Sequence, residues 1–136
     1  MRSAAGDFEG AAEFRAALRH FLRRAEDVAR ANDLTPRRYE LLLQLKAAPG
    51  ERLTVAELSD VLQLGQPAVS ELVQRAEESG LVRRTRVDGD RRHVYIGLTR
   101  AGENRLRGAF QGLAEERELL AAVFVGRCFT PRSTHL

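Results

Sequence analysis

The first part of the chain carries an apolar stripe with helical spacing. Between residues 8 and 31, apolar side chains recur every three or four positions, which places them on one side of a long helix. The stripe consists of Ala11, Phe14, Leu18, Phe21, Leu22, Ala25 and Val28. A second helix is predicted after Thr35-Pro36, because threonine caps helix N termini and proline fits the first turn. Its apolar side is expected to contain Tyr39, Leu42, Leu43 and Leu45.

Two shorter helices joined by a tight turn are predicted next. Thr54 and Glu57 have the spacing of a capping box, which marks the start of a helix. Gly65 is expected to supply the turn, and Pro67 suits the first turn of the following helix. That helix is expected to bury Val69, Leu72, Val73 and Ala76. Residues 47–52 contain a Pro-Gly pair and are expected to form a loop.

The spacing of apolar residues then changes from helical to alternating. Residues 94–98 alternate between apolar and other side chains, the pattern of a half-buried strand. Residues 81–87 are expected to pair with this strand through a turn at Asp88-Gly89. The same small hairpin carries Arg83, Arg84, Arg86, Arg91 and Arg92. Two helices with a tight turn, followed by such a hairpin, predict a winged helix-turn-helix.

A last long helix is predicted over residues 100–125. Thr99 has the position of its N-cap, and Gly126 and Pro131 mark its end. The apolar side is expected to contain Leu106, Phe110, Leu113, Leu120, Ala121 and Phe124. Gly108 and Gly112 each lower the helix propensity by about 1 kcal/mol relative to alanine. Their missing side chains either permit a partner helix to approach closely or only lower that propensity.

The predicted fold class is mainly α with a small β-hairpin wing. With 136 residues, the chain has the length of one domain with a modest core. We therefore interpret residues 1–136 as a single domain, with 35–98 as the winged helix-turn-helix and 8–31 and 100–125 as flanking helices. A chain this short cannot fully bury both flanking apolar stripes, so we expect them to pack on a second subunit.

The distribution of charge points to nucleic acid. The net charge is only +3, but the sequence pI is about 9.7 and the arginines cluster on the hairpin. So dense a group of like charges favours an anionic partner over a merely solvated face, given the helix-turn-helix directly before it. Arg37 and Arg38 fall in the first turn of the second helix, where cations oppose the helix dipole and a bound phosphate would relieve the conflict.

Three segments resemble the MarR family of bacterial transcription regulators. They are LTVAELSDVL, PAVSELVQRAEESGLVRR and DGDRRHVYIGLTRAG. The third is the most specific, because the wing of that family carries D-x-R, a strand and then L-T-x-x-G. Here these are Asp90 to Arg92 and, after the strand, Leu98 to Gly102. The resemblance covers nearly the whole chain in element order and weakens at both ends.

The resemblance implies a homodimeric regulator, usually a repressor, that binds a pseudo-palindromic operator in double-stranded DNA. The residues assigned to the DNA are Arg37, Arg38, Gln66, Pro67, Ser70, Glu71, Gln74, Arg75, Arg84, Asp90, Arg91 and Arg92. Arg92 would enter the minor groove, oriented by Asp90. Glu71 is unusual at such a position, because a carboxylate near phosphates costs affinity. It would either accept a hydrogen bond from cytosine or pair with Arg75.

The resemblance also implies a small aromatic or phenolic effector, since some members bind aromatic acids or phenols between their dimerisation and DNA-binding parts. Here that cleft would contain Phe14, Leu18, Tyr39 and Phe110, although each of these is equally suited to a hydrophobic core. One departure concerns the C-terminal tail. Family members commonly have a further helix there, whereas residues 127–136 lack helical periodicity.

Catalytic, metal and cofactor sites are not indicated. His20, His93, His135 and Cys128 do not have metal-ligand spacing, and no phosphate-binding or dinucleotide-binding motif is present. We therefore expect no metal, no cofactor and no enzymatic activity. The chain has no apolar run long enough to span a membrane, and its single cysteine fits a reducing compartment, so we expect a cytoplasmic protein with no membrane partner.

Two other functions stay open. The first is a winged-helix module that binds another protein and not DNA, which the arginine-rich hairpin disfavours. The second is an enzyme, which the lack of any nucleophile–base or metal constellation disfavours. The operator, the effector and the direction of regulation are not encoded in any pattern of this sequence.

Overall fold

The computed structural model describes residues 4–87, 89, 92–114, 116 and 118. The elements are α1 (Ala4–Ala31), α2 (Pro36–Ala47), a 3₁₀ turn (Pro49–Glu51), β1 (Arg52–Leu53), α3 (Val55–Leu62), α4 (Gln66–Glu78), β2 (Val82–Arg86), β3 (Val94–Leu98) and α5 (Arg100–Gly112). The fold is mainly α-helical with a small antiparallel sheet, as predicted. The last helix was predicted over residues 100–125, but α5 ends at Gly112, because Leu113, its C-cap, has a non-helical backbone. Gly126 and Pro131 lie outside the described residues.

The predicted starts of α2 and α3 are confirmed by their caps, whereas α1 begins at Ala4 and not at residue 8. The Thr35 hydroxyl accepts a hydrogen bond from the N–H of Arg38 at the start of α2. At α3, the Thr54 hydroxyl accepts from the N–H of Glu57 at 3.2 Å, and the Glu57 carboxylate accepts from the N–H of Thr54 at 3.0 Å. Each cap satisfies N–H groups that have no partner inside the helix, so the local sequence fixes where these helices begin.

The wing contains a third strand that the sequence interpretation missed. Strand order is β1-β3-β2, and β1 pairs with β3 through Arg52 opposite Gly97 and Leu53 opposite Ile96. The expected loop over residues 47–52 is therefore wrong at its end, because Arg52 already belongs to the sheet. Leu53 is buried and continues the apolar underside of the hairpin. A strand of two residues has no alternation for a sequence pattern to detect.

The turn between α3 and α4 is made differently from the prediction. Gln63 adopts the left-handed conformation, with φ 55°, while Gly65 is the N-cap of α4 with φ −64°. The side chain of Gln63 donates to the carbonyl of Asp60 at 2.6 Å, and the hydroxyl of Ser59 donates to the carbonyl of Leu64. These hydrogen bonds stabilise the turn, in which Gln63 takes the place that was expected for a glycine.

The hydrophobic core is centred on α2. Leu41, Leu42 and Leu45 of this helix are fully buried, and buried side chains from the other elements surround them. The surrounding residues include Leu58 from α3, Val69 and Val73 from α4, Ile96 from β3 and Leu106 from α5. Because the helix-turn-helix, the sheet and α5 share one core, α4 and the wing are held in a fixed mutual orientation.

The last helix packs closely against α1 of the same chain. A Cβ atom on Gly108 would lie 2.5 Å from Oδ1 of Asn32, and one on Gly112 would lie 2.8 Å from Cγ1 of Val28. The absent side chains of both glycines therefore permit this contact within the subunit. Of the two alternatives for these glycines, the structure therefore shows a close approach, and the approaching segment belongs to the same subunit.

A salt bridge also joins α5 to α2. Nζ of Lys46 lies 2.6 Å from Oε1 of Glu51 and 2.6 Å from Oε1 of Glu103. The two carboxylates raise the pKa of Lys46, and Lys46, with Arg107, lowers the pKa of Glu103. In the part of the chain that the structure describes, no helix is long and apolar enough to cross a membrane.

Candidate nucleic-acid interface

Helix α4 presents a polar side to solvent. Its apolar side chains Val69, Val73 and Ala76 are buried, and they occupy one side at helical spacing. The opposite side is therefore the one available to a groove of duplex DNA. The exposed residues on this helix include all those assigned to DNA from the sequence, namely Gln66, Pro67, Ser70, Glu71, Gln74 and Arg75.

The centre of that exposed side carries an ion pair. Nη2 of Arg75 donates to Oε1 of Glu71 at 3.0 Å, and both side chains are about two-thirds exposed. One turn away, Nε2 of Gln74 donates to Oε1 of Glu78 at 3.3 Å. An exposed pair of this kind contributes at most about 1 kcal/mol. Of the two roles considered for Glu71, the structure of the free protein contains the pairing with Arg75, which holds the guanidinium along the helix surface.

The N terminus of α2 lies beside this pair. Arg37, Glu71, Leu72 and Arg75 line a shallow cavity of about 280 Å³, together with Leu64 and Ala68. Arg37 is exposed and Arg38 is half-buried, and the first turn of α2 contains no acidic residue. The arginine and the helix N terminus both favour an anion there, as a phosphate bordering the groove would provide. Ala68, which also lines this cavity, was not among the predicted site residues.

On its other flank, α4 is joined to the wing. Nε of Arg84 on β2 lies 3.3 Å from Oε1 of Glu77 on α4, and both side chains are about two-fifths exposed. Arg84 stands opposite Ile96, so it lies on the core side of the sheet. In the free protein Arg84 ties the wing to α4, and its assignment to DNA stays a prediction.

The outer side of the sheet carries a second group of cations. Arg52 and Arg83 both stand opposite Gly97, on either side of it, and both are exposed. The guanidinium of Arg52 lies 4.6 Å from the centre of the Tyr95 ring, a cation–π contact. Arg52 and Tyr95 were not among the predicted site residues, because their proximity follows from the unpredicted strand β1.

The tip of the wing is only partly described. Gly89 has φ 87°, the left-handed conformation expected at the Asp88-Gly89 turn. Arg92 is exposed just before β3. Asp88, Asp90 and Arg91 lie outside the described residues, so the expected orientation of Arg92 by Asp90 stays a prediction.

A second cavity lies between α1, α2 and α3. Its volume is about 300 Å³, and Tyr39 lines it. The hydroxyl of Tyr39 donates to Oε2 of Glu116 at 2.9 Å, and burial, with this hydrogen bond and the adjacent charge, raises the pKa of Tyr39. The other three predicted effector residues do not line it: Phe14 and Leu18 lie on the exposed part of α1, and Phe110 lies half-buried on α5.

The described residues offer little metal or acid–base chemistry. Among them there is no group of three or more histidine, cysteine, aspartate or glutamate side chains that could hold a metal ion. His20 is exposed on α1, and the ring of His93 lies 6.3 Å from that of Tyr95. Cys128 and His135 lie outside the described residues.

Comparison with known proteins places the chain among winged-helix regulators. A family model described as MarR family matches residues 32–93, which span α2, the helix-turn-helix and the wing up to β3. A search of curated proteins found no significant match.

Solved structures with the same fold cover most of the chain. A MarR family protein from Bacillus stearothermophilus is 24% identical, with a TM-score of 0.75, over 96% of this chain and 86% of that one. Sco3205, a MarR family transcriptional regulator from Streptomyces coelicolor solved in complex with DNA, is 26% identical over 96% and 82%, with a TM-score of 0.68. MepR, a transcription regulator of the Staphylococcus aureus multidrug efflux pump MepA, is 26% identical over 82% of each chain, with a TM-score of 0.71.

Proposed function

Because this chain belongs to the MarR family of transcriptional regulators, we propose that it binds a pseudo-palindromic operator as a homodimer and represses transcription from it. The observation that carries the proposal is the exposed side of α4. Gln74 and Arg75 lie there between Arg37 on one flank and the arginine-rich wing on the other. A helix bordered on both sides by cations suits a major groove, in which base edges lie between two rows of phosphates.

Two structural neighbours support DNA as the partner. Sco3205 was solved in complex with DNA, and a mutant of MepR was solved bound to an oligodeoxyribonucleotide. Both are about one-quarter identical to this chain, with TM-scores of 0.68. We extend their ligand class, though not their operators, to this protein.

The proposed contacts divide into two kinds. Gln66, Ser70, Gln74 and Arg75 meet base edges, where glutamine suits adenine and arginine suits guanine. Arg92 enters the minor groove, with Asp90 as its orienting partner. The remaining assigned residues lie near the backbone or beside the base contacts, and they are Arg37, Arg38, Pro67, Glu71, Arg84 and Arg91. On approach to DNA, Arg75 exchanges its contact with Glu71 for a base or phosphate, at small cost because that pair is exposed.

The proposed dimer uses the helices at both ends of the chain. Phe8, Phe14 and Leu22 of α1 are 78%, 67% and 52% exposed, and Leu18 is 43% exposed. An apolar surface this continuous on one helix is typical of a protein–protein interface. We assign the interface to segments 8–31 and 100–125. Sedimentation at micromolar concentration tests the assignment, and a species that stays monomeric at high concentration contradicts it.

Salt dependence tests the DNA proposal itself. Each phosphate that the protein neutralises adds a slope of about −0.9 to log K against log salt for duplex DNA. With two subunits, we expect about six contacts or more, and therefore a steep loss of affinity as salt rises. Fluorescence anisotropy with a labelled duplex measures this slope. Absence of binding at low salt would favour the alternative, a winged-helix module that binds another protein.

We further propose that a small effector controls operator binding from the cavity lined by Tyr39. This cavity joins α1, part of the proposed dimer interface, to α2 and α3, which pack against α4. A ligand that binds more tightly to one arrangement of these helices than to the other would shift the population between them. Titrating a ligand into the protein–operator complex and following anisotropy tests for release.

A further inference from the structure

The cavity between α1, α2 and α3 has walls suited to an apolar body. Phe21 from α1, Leu43 from α2 and Leu62 from α3 line it, together with the buried ring of Tyr39. Its volume of about 300 Å³ is at the lower end of the range for small-molecule sites, large enough for one aromatic ring with a substituent. Shape and apolar lining therefore favour a compact, amphipathic ligand.

The polar part of the same lining is acidic. Glu26 from α1, Glu40 from α2 and Glu116 beyond α5 all contribute to it, and the described residues that line the cavity include no lysine, arginine or histidine. Glu26 is partly neutralised, because Arg30 lies 2.6 Å from it. Glu116 accepts the hydrogen bond from Tyr39. Within the described part of the chain, Glu40 forms no salt bridge.

We propose that this cavity binds an amphipathic organic cation, with an aromatic or short aliphatic body against Phe21 and Leu62 and a positive group facing Glu40 and Glu116. The carboxylates favour the cation by charge, and the faces of Phe21 and Tyr39 favour it by cation–π attraction. The inference deepens the proposed function, on which its regulatory part rests, by naming the charge class of the effector.

The assignment differs from what the family resemblance implied. An aromatic acid would place its carboxylate among three glutamates, and like charges repel. A neutral phenol would fill the apolar part of the cavity but would gain nothing from the acidic part. The charge of the lining therefore predicts an order of affinity, with cation first, neutral molecule second and anion last.

The position of the cavity connects the ligand to the DNA-binding surface. Pro36, the first residue of α2, lines the cavity, and the next residue, Arg37, lines the shallow cavity beside Glu71 and Arg75 on α4. A cation drawn between Glu40 and Glu116 changes the contact between α2 and the segment beyond α5. A shift of α2 would move Arg37 relative to α4, which weakens binding to both half-sites.

Three molecules of similar shape but different charge test the proposal. Benzamidinium, benzamide and benzoate share a phenyl ring, and their substituents carry charges of +1, 0 and −1. We measure their binding to the protein without DNA by isothermal titration calorimetry at low salt. Because the carboxylates are partly exposed, we expect benzamidinium to bind about tenfold more tightly than benzoate, with benzamide between them. Benzoate as the tightest ligand, or no detectable binding of benzamidinium, overturns the proposal.

Matched substitutions locate the site. In the Glu40→Gln, Glu116→Gln double variant, the affinity for benzamidinium should fall about fivefold, while that for benzamide should not change. Glutamine at 116 still offers an oxygen to the hydroxyl of Tyr39, so the fold is retained, and an unchanged melting temperature checks this. The control is Asp60→Asn on α3, which removes one negative charge from an exposed residue that does not line the cavity. An equal loss in the control, or none in the double variant, overturns the assignment.

A last measurement separates this inference from the proposed function. Saturating benzamidinium should raise the operator Kd of the wild-type protein about fivefold, while the Glu40→Gln, Glu116→Gln variant should need about five times as much benzamidinium for the same effect. If the protein binds no duplex DNA, the proposed function fails. The order of the three affinities measured by calorimetry still decides whether the cavity prefers a cation. If DNA binds but benzamidinium does not, only the present inference fails.

Discussion

Replacing Gly102 with alanine tests the contact that seats the last helix on the wing. Gly102 lies in the first turn of α5, in the L-T-x-x-G segment, and the hydroxyl of Thr99 accepts a hydrogen bond from its N–H at 3.0 Å. A Cβ atom on Gly102 would lie 2.0 Å from the carbonyl oxygen of Leu81 and 2.9 Å from its carbonyl carbon. That oxygen also accepts from the N–H of Thr99 at 3.1 Å. The backbone of Leu81 therefore cannot move away without breaking the junction.

The expected effect combines two opposing terms. Alanine is favoured over glycine inside a helix by about 1 kcal/mol. Overpacking costs about 1–3 kcal/mol, and we take the upper end because the obstructing atoms are backbone. The net loss of stability for Gly102→Ala is about 2 kcal/mol. At roughly 4 °C per kcal/mol for a domain of this size, the melting temperature should fall by about 8 °C.

Gly10→Ala is the matched control. Gly10 also lies within a helix, and a Cβ atom there would have nothing within 4 Å, so only the propensity term applies. We expect this variant to be more stable, by up to about 1 kcal/mol. Circular dichroism during denaturant titration, at one fixed protein concentration, measures both. A Gly102→Ala protein as stable as the wild type would refute the reasoning, since the two variants should change stability in opposite directions.

Three further results are expected. Arg92→Ala should weaken operator binding by about 1–3 kcal/mol per subunit with folding intact, whereas Arg83→Ala should weaken it clearly less. Anisotropy titrations measure both variants, and equal small losses of affinity would make the assignment of Arg92 wrong. Glu71→Gln should raise the affinity for random duplex DNA about threefold at low salt and not at high salt, because it removes a carboxylate near phosphates and releases Arg75. An affinity with the same salt dependence as that of the wild-type protein would contradict this. The folded-state pKa of Tyr39 lies above its ordinary value of 10.0, so the free energy of unfolding should fall as pH rises above that value. Alkaline denaturation of the Tyr39→Phe variant, which cannot ionise at this position, should lack the contribution of Tyr39 to that fall.

Local signals in the sequence were sufficient for the helix starts. Thr35, Thr54 and Thr99 each act as an N-cap, as their spacing to the following residues predicted. Capping depends on side chains only three residues apart, so the chain alone specifies it. The arginine-rich hairpin was likewise predictable, because alternation and the Asp-Gly turn are local patterns.

Features that depend on distant contacts were not predictable. Strand β1 exists because Leu53 completes the apolar underside of a sheet whose other strands lie about thirty to forty residues later. The left-handed turn at Gln63 is supported by its side chain, although the nearby glycine carried the stronger local signal. Gly108 and Gly112 gave no indication of which helix they would approach, since propensity describes one helix and not its neighbour.

In the candidate site, too, local features were predictable and features that depend on distant contacts were not. The exposed positions of α4 follow from the period of its buried residues, so the sequence was sufficient to predict them. The ion pair between Arg84 and Glu77 joins two elements, so no local pattern of the sequence could predict it. The cavity beside Tyr39 is lined by three helices, and periodicity could not show that Phe14 and Leu18 would lie elsewhere.

Selection of DNA from a random pool tests the central claim most directly. The purified protein is incubated with random duplexes at moderate salt, and the bound fraction is amplified and sequenced over several rounds. A homodimer with one recognition helix per subunit should enrich an inverted repeat whose half-site centres lie about one helical turn, roughly 10 base pairs, apart. Failure to enrich any sequence, or enrichment of a single unrepeated site, would contradict the account.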